Sequence, residues 1–326
     1  MYLKELKFSL WADFIEREFL DHEFKRLIED GIINGATSNP AIFKNAILSS
    51  GAYKKQLSTL DALSPKQKYE ALAQVDIQKA ADILRPLYEK GDDGYVSIEV
   101  DTYLCDDAEA TIKEGKRLFS EINRKNVMIK IPATEAGYIA MKELVGSSIP
   151  VNATLVFKKS QAIACAEAFR EGLAQNKTEV DTVISVFVSR IDRALDEELA
   201  KNGVERALSG IYNSADIYAK VKEMGVKSCR TLFASTGVKD DSLPPHYYIE
   251  KLLAYNSINT APIDTIKAFH LNGGKKSALP IPAQIIKEHF KKIKGLGIDF
   301  DAVLDKQVSE GLKSFKDAFK EILESL

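Results

Sequence analysis

Apolar runs of strand length alternate with longer runs of helical periodicity along most of the chain. The strand-length runs fall at 8–13, 32–39, 95–101, 127–132, 150–157, 182–189 and 228–236, with a weaker one at 260–264. Helical runs lie at 14–30, from Pro40 onward, from Ser64-Pro65 onward, and near 106–123, 134–145, 159–175, 190–202, 213–224, 281–293 and 303–324. Gly31 is placed to close the first helix, and Ser64-Pro65 is an N-cap followed by proline at N1. Strand and helix in alternation imply a parallel sheet with helical crossovers. Seven clear strands and one weaker one predict an α/β fold, a closed (β/α)8 TIM barrel with additional helices, over residues 1–326 as one domain. A doubly wound open sheet is the alternative.

A second pattern lies over the first. Polar or aromatic residues recur at every second strand position, which puts them on one face. The set is Ser9, Trp11 and Asp13; Thr37 and Asn39; Ser97, Glu99 and Asp101; Met128 and Lys130; Asn152 and Thr154; Ser185, Phe187 and Ser189; Thr231, Phe233 and Ser235. On six of the seven strands, the second apart, the opposed positions are apolar, as a helix-covered barrel exterior requires. The polar set therefore converges on the barrel interior, toward the C-terminal rim where barrel active sites lie.

Lys130 is the outstanding member. It sits near the end of the otherwise apolar run 127–132, where burying an unpaired ammonium is expensive. One escape is to lose the proton, after which the neutral amine attacks a carbonyl and forms a Schiff base. The plainer alternative is a stem that packs while its head reaches water. Asp13 and Glu99 can relay the protons that carbinolamine chemistry needs, or can serve only as ion-pair partners. Asn39 and Asn152 can hold substrate hydroxyls; Asn39, just before Pro40, can equally cap a helix. Phe187 and Phe233 read as packing. Arg190, at the start of a helix just past the sixth strand, suits a phosphate. Its alternative is a surface ion pair with Asp192 or Glu197. The loop after the seventh strand, with Ser235 and Lys239, is where barrel phosphate sites commonly form. Arg230 lies lower in that strand, and the four histidines stand outside the pattern.

Composition narrows the classes. With 45% hydrophobic and 28% charged residues and a net charge of −2, the chain is an ordinary globular protein with no broad cationic surface. Nucleic acid is not an expected partner. Three dispersed cysteines give no disulfide framework or zinc spacing. No run approaches a membrane span, and the N-terminus has no signal-peptide pattern, so a cytoplasmic protein is expected. Neither a metal nor another cofactor is expected. Sequence leaves monomer and homodimer both open.

Seven stretches together resemble the transaldolase family in its longer bacterial form. They are SLWAD (9–13), GATSNP (35–40), VSIEVD (96–101), VMIKIP (127–132), VNATLVF (151–157), SVFVSR (185–190) and ASTGVK (234–239). The resemblance implies a (β/α)8 barrel that moves a dihydroxyacetone unit from a ketose phosphate to an aldose phosphate through a lysine Schiff base. It implies Lys130 as that lysine and Asp13 as the base for the C4 hydroxyl. Glu99 would shuttle protons through a water held with Thr154. Asn39 and Asn152 would hold hydroxyls, supported by Thr37 and Ser185, and Arg190 and Ser235 would bind phosphate. Some members place a second arginine shortly after that serine; here Lys239 is the substitute. The rivals are a fructose-6-phosphate aldolase-like enzyme, whose relatives are shorter and carry glutamine at the position of Glu99, and a catalytically silent sugar-phosphate-binding barrel.

Overall fold

The computed structural model describes residues 1–176, 179–240 and 242–326. Eight parallel strands close into a barrel in sequence order. They are β1 (Ser9–Ala12), β2 (Gly35–Thr37), β3 (Tyr95–Glu99), β4 (Val127–Pro132), β5 (Val151–Val156), β6 (Thr182–Phe187), β7 (Cys229–Ala234) and β8 (Ser257–Ala261). β8 pairs with both β7 and β1, so no edge is left open. Among the described residues, no helix is long and apolar enough to cross a membrane.

The alternating face emerges as expected on six strands. The register sets Glu99 beside Lys130 and Lys130 beside Asn152, all pointing inward. The opposite face, with Ile98, Ile129, Ile131 and Ala153, packs under the helices in one large apolar shell. At the N-terminal end the interior is filled by Trp11, Tyr95, Met128, Val183, Leu232 and Ile258. Trp11 fits because β2 offers glycine opposite it. A Cβ on Gly35 would stand 2.6 Å from the indole ring.

Three expectations are corrected. On β7 the phase is inverted. The register places Leu232 beside Ser185 and Ala234 beside Phe187, facing inward. Thr231 and Phe233 therefore face the helices, and Phe233 packs with Val188, Ile211 and Tyr218. Alternation of apolar residues with a large aromatic reads equally well in either phase. The eighth strand is Ser257–Ala261 rather than 260–264, because Pro262 caps the following helix, Ile263–Asn272. That helix, and the short Tyr247–Lys251, had no counterpart in the periodicity. The first helical run breaks at His22 into Arg17–Asp21 and Glu23–Glu29.

Helix starts follow local chemistry. Ser64 and Gln67 form a capping box for Pro65–Glu89. Asn39 caps Pro40–Ser49. The C-terminal helix, Phe300–Ser325, buries Gly311, Phe315 and Phe319 on one face. That face lies across the C-terminal mouth of the barrel, and Gly311 allows the close approach. A Cβ there would lie 3.0 Å from Leu155 and 3.7 Å from the Arg190 guanidinium.

Candidate functional site

A cavity of about 170 Å³ opens at the C-terminal mouth. It is lined by Asp13, Thr37, Asn39, Lys130, Thr154, Ser185, Phe187, Arg190, Ser235 and Thr260, with Ser314 and Phe315 above. β1, β2, β4, β5 and β6 each deliver a polar residue because each ends in the same inward phase. Two backbone irregularities help. Leu155 has φ +57° at a bulge in β5, next to Thr154. Ser235 has φ +55° just past β7, which turns it off the strand pleat and into the cavity.

Lys130 Nζ stands 3.3 Å from Glu99 Oε2 and donates to the Ser38 carbonyl at 3.1 Å. Both side chains are buried. Burial pushes the Glu99 carboxyl up to about 7, and the attraction of Lys130 only partly opposes this. Glu99 lies behind Lys130, beneath the cavity lining. Neither of its carboxylate oxygens has an aligned protein donor, and Thr154 Oγ1 is likewise buried without a partner.

Asp13 accepts from Thr37 Oγ1 at 2.8 Å, and Thr37 Oγ1 lies 2.7 Å from Thr260 Oγ1. Burial raises the Asp13 carboxyl above its ordinary range, against the pull of Lys130, the Thr37 hydrogen bond and Arg190. Asn39 caps the following helix, as its position before Pro40 allowed. Its Oδ1 caps the helix at Ile42 N (3.0 Å), which leaves the amide nitrogen at the cavity wall. Asn152 sits lower. It donates to Ser97 Oγ at 3.0 Å and accepts from Ser185 Oγ at 2.6 Å. This chain fixes the amide orientation under the site.

Arg190 makes no ion pair with Asp192 or Glu197. Its guanidinium lies over the Phe187 ring at 5.3 Å, half-buried, and burial lowers its pKa. Asp192 turns away and accepts the Gly210 N–H at 2.8 Å, which ties the first turn of Ser189–Lys201 to the helix Ser209–Met224. Ser235 Oγ is 3.2 Å from Ser189 Oγ. Arg190 and Ser235 thus share one wall. Lys239 does not join them. It is exposed and outside the cavity lining.

Two interior expectations fail locally. Asp101 follows the chain out of β3, caps Tyr103 and pairs with Lys66 at 2.7 Å. Ser189 begins a helix instead of ending a strand. Thr260, Ser314 and Phe315 were missed. Thr260 follows from the alternation at 257–261 once β8 is set in register. Ser314 and Phe315 carry no such signal, because helical periodicity cannot say which surface the helix covers. Phe315 lies 5.5 Å from Lys130 Nζ. Among the described residues, no group of acids, histidines and cysteines is arranged to hold a metal ion.

This is a site for carbonyl chemistry: a buried amine, two carboxyl groups shifted upward by burial, fixed amide and hydroxyl donors, and a guanidinium at the rim. Comparison with known proteins agrees. The family model described as transaldolase/fructose-6-phosphate aldolase matches residues 10–326. A transaldolase of Helicobacter pylori (strain ATCC 700392 / 26695) is 43% identical over 320 residues, covering 98% of this chain and 99% of the relative. One from Campylobacter jejuni subsp. jejuni (serotype O:23/36, strain 81-176) is 46% identical over 330 residues, with the same coverage. The chain belongs to the transaldolase/fructose-6-phosphate aldolase family.

Proposed function

We propose that this enzyme is a transaldolase that carries the dihydroxyacetone unit on Lys130. The observation that supports this most directly is the buried Lys130 amine, 3.3 Å from Glu99, in a cavity lined by carboxyl, hydroxyl, amide and guanidinium groups. Sedoheptulose 7-phosphate would donate and glyceraldehyde 3-phosphate accept, yielding erythrose 4-phosphate and fructose 6-phosphate.

The Lys130 amine adds to the C2 carbonyl of the donor. Loss of water gives the imine, an electron sink for the next step. A group poised near neutrality serves as both acid and base, which suits Glu99 to the carbinolamine steps. The unpartnered Glu99 oxygens and Thr154 Oγ1 suit a bridging water as the proton carrier. Asp13, braced by Thr37, takes the C4 hydroxyl proton as the C3–C4 bond breaks. The shortened aldose phosphate leaves, and the electron pair rests in the enamine on Lys130. The enamine then adds to the acceptor aldehyde, the steps reverse, and hydrolysis frees the new ketose. Asn39 and Asn152, with Ser185, hold hydroxyls of the bound unit. Arg190 and Ser235 take the phosphate, so remote binding energy reaches the reacting carbons. Lys239 would contribute only if its loop folded toward Arg190.

Incubation with fructose 6-phosphate followed by borohydride reduction should leave a three-carbon adduct on Lys130, mapped by mass spectrometry. Folded protein with no adduct there would sink the mechanism. Adding erythrose 4-phosphate should give sedoheptulose 7-phosphate. Free dihydroxyacetone as the main product would mean an aldolase instead.

A further inference from the structure

The cavity at the C-terminal mouth holds about 170 Å³. Small-molecule sites run to roughly 300–1,000 Å³. A ketose phosphate anchored at Lys130 therefore extends past the cavity lining, and its phosphate lies at the rim. Arg190 is the one guanidinium in that lining. A phosphate monoester carries about two negative charges near neutrality, so a single guanidinium only partly neutralises it.

The next turn of the same helix carries a second guanidinium. Ser189–Lys201 places Arg190 and Arg193 three residues apart, a spacing that sets side chains next to each other. The two charges do feel each other. After burial, repulsion from Arg193 is the largest influence lowering the Arg190 pKa, and Lys239 exerts none. Two adjacent guanidiniums near the positive end of a helix are unfavourable without an anion. The nearby carboxylates on that helix are engaged elsewhere. Asp192 accepts from Gly210 N at 2.8 Å, Asp196 from Ala207 N at 2.9 Å, and Glu197 pairs with Lys201 at 2.7 Å. Asp13 and Glu310 attract Arg190 from other elements without forming an ion pair. Neither arginine makes an ion pair among the described residues.

We propose that Arg193 is the second cation of the phosphate site, and that it acts chiefly on the seven-carbon donor. This rests on the transaldolase reading above and deepens it. With the dihydroxyacetone unit fixed on Lys130, the phosphate of sedoheptulose 7-phosphate lies one carbon farther out than that of fructose 6-phosphate. Arg190 lines the cavity, whereas Arg193 stands exposed outside its lining. The pair offers an inner and an outer position on one helix, so donors of both lengths meet a guanidinium.

Steady-state kinetics of Arg193→Ala with each donor test this. KM should rise about tenfold for sedoheptulose 7-phosphate and no more than about threefold for fructose 6-phosphate, with kcat near wild type. Arg193→Lys should recover part of the loss. Borohydride trapping of phosphate-free dihydroxyacetone on Lys130 should proceed equally in wild type and Arg193→Ala. No trapping in the wild type would sink the transaldolase reading itself. With trapping intact, four results would overturn the role of Arg193 alone: unchanged KM for both donors, equal rises for both, a larger effect of Lys239→Ala on the seven-carbon donor, or weaker dihydroxyacetone trapping in Arg193→Ala, which would mean a damaged site.

Discussion

Glu99 and Lys130 are direct neighbours across β3 and β4, with Nζ 3.3 Å from Oε2. Neither side chain reaches solvent to any useful extent. The pair therefore places one buried cation directly against a carboxyl that burial holds near neutrality.

Stability and rate should both respond to pH through Glu99. Burial raises the folded Glu99 carboxyl from 4.5 to about 7. The folded state thus holds a proton between those values that the unfolded state has released. The resulting stabilisation is fully present below about 4.5 and is lost as pH rises through about 7. Glu99→Gln should flatten that part of the stability-versus-pH curve in denaturant titrations. It should also remove an ionisation near neutrality from the kcat/KM profile, with kcat lower by roughly a hundredfold. An unchanged pH–rate profile would refute the assignment.

Removing one member of a buried pair should cost more than removing both. Lys130→Met should abolish turnover and the borohydride adduct, and should destabilise the fold by about 3 kcal/mol at about pH 8, because loss of the cation that lowers the Glu99 carboxyl drives it further up, and the fold must then bind a proton there or bury a lone charge. Lys130→Met with Glu99→Gln should recover a large part of that loss. Chemical denaturation of the two variants decides it; equal stabilities would mean that the pair carries no coupling.

Arg190 should act on binding before chemistry. Arg190→Ala should lower kcat/KM by roughly a hundredfold, through KM more than kcat, and Arg190→Lys should recover only part of it. The Asp192–Gly210 clip gives an independent handle. A Cβ on Gly210 would lie 2.4 Å from the Val188 carbonyl and 3.0 Å from Asp192 Oδ2. Gly210→Ala should cost about 1–3 kcal/mol and raise KM for phosphorylated donors while kcat stays close to wild type. A fall in kcat alone would argue against a positioning role.

Phe315 should protect the enamine. Its ring, on the inner face of the C-terminal helix, lies 5.5 Å from Lys130 Nζ, where it would keep water from the intermediate. Phe315→Leu, which preserves much of the volume, should raise the fraction of donor released as free dihydroxyacetone several-fold. Phe315→Ala should do so more strongly and lose about 3–5 kcal/mol of stability. Product analysis with limiting acceptor tests it; an unchanged ratio of release to transfer would exclude the shielding role.

The strand period by itself determined the barrel and the inward set Asp13, Thr37, Glu99, Lys130, Asn152, Thr154 and Ser185. A two-residue repeat leaves only two faces to choose between, and a charged residue cannot take the helix-covered one. Lys130 was legible for that reason: nothing but a converging polar interior accommodates it. Where both phases are chemically tolerable the choice passes to the register, as on β7, where Leu232 and Ala234 face inward and Phe233 packs under the helices. Asp101 and Ser189 left the pattern because the strands end earlier than the period suggests. Ser235 reached the cavity through a left-handed turn that alternation does not encode. The placement of Ser314 and Phe315 over the mouth, and the exposure of Lys239, depend on where a distant helix and a loop pack. Those are long-range contacts, and no local pattern in the chain specifies them.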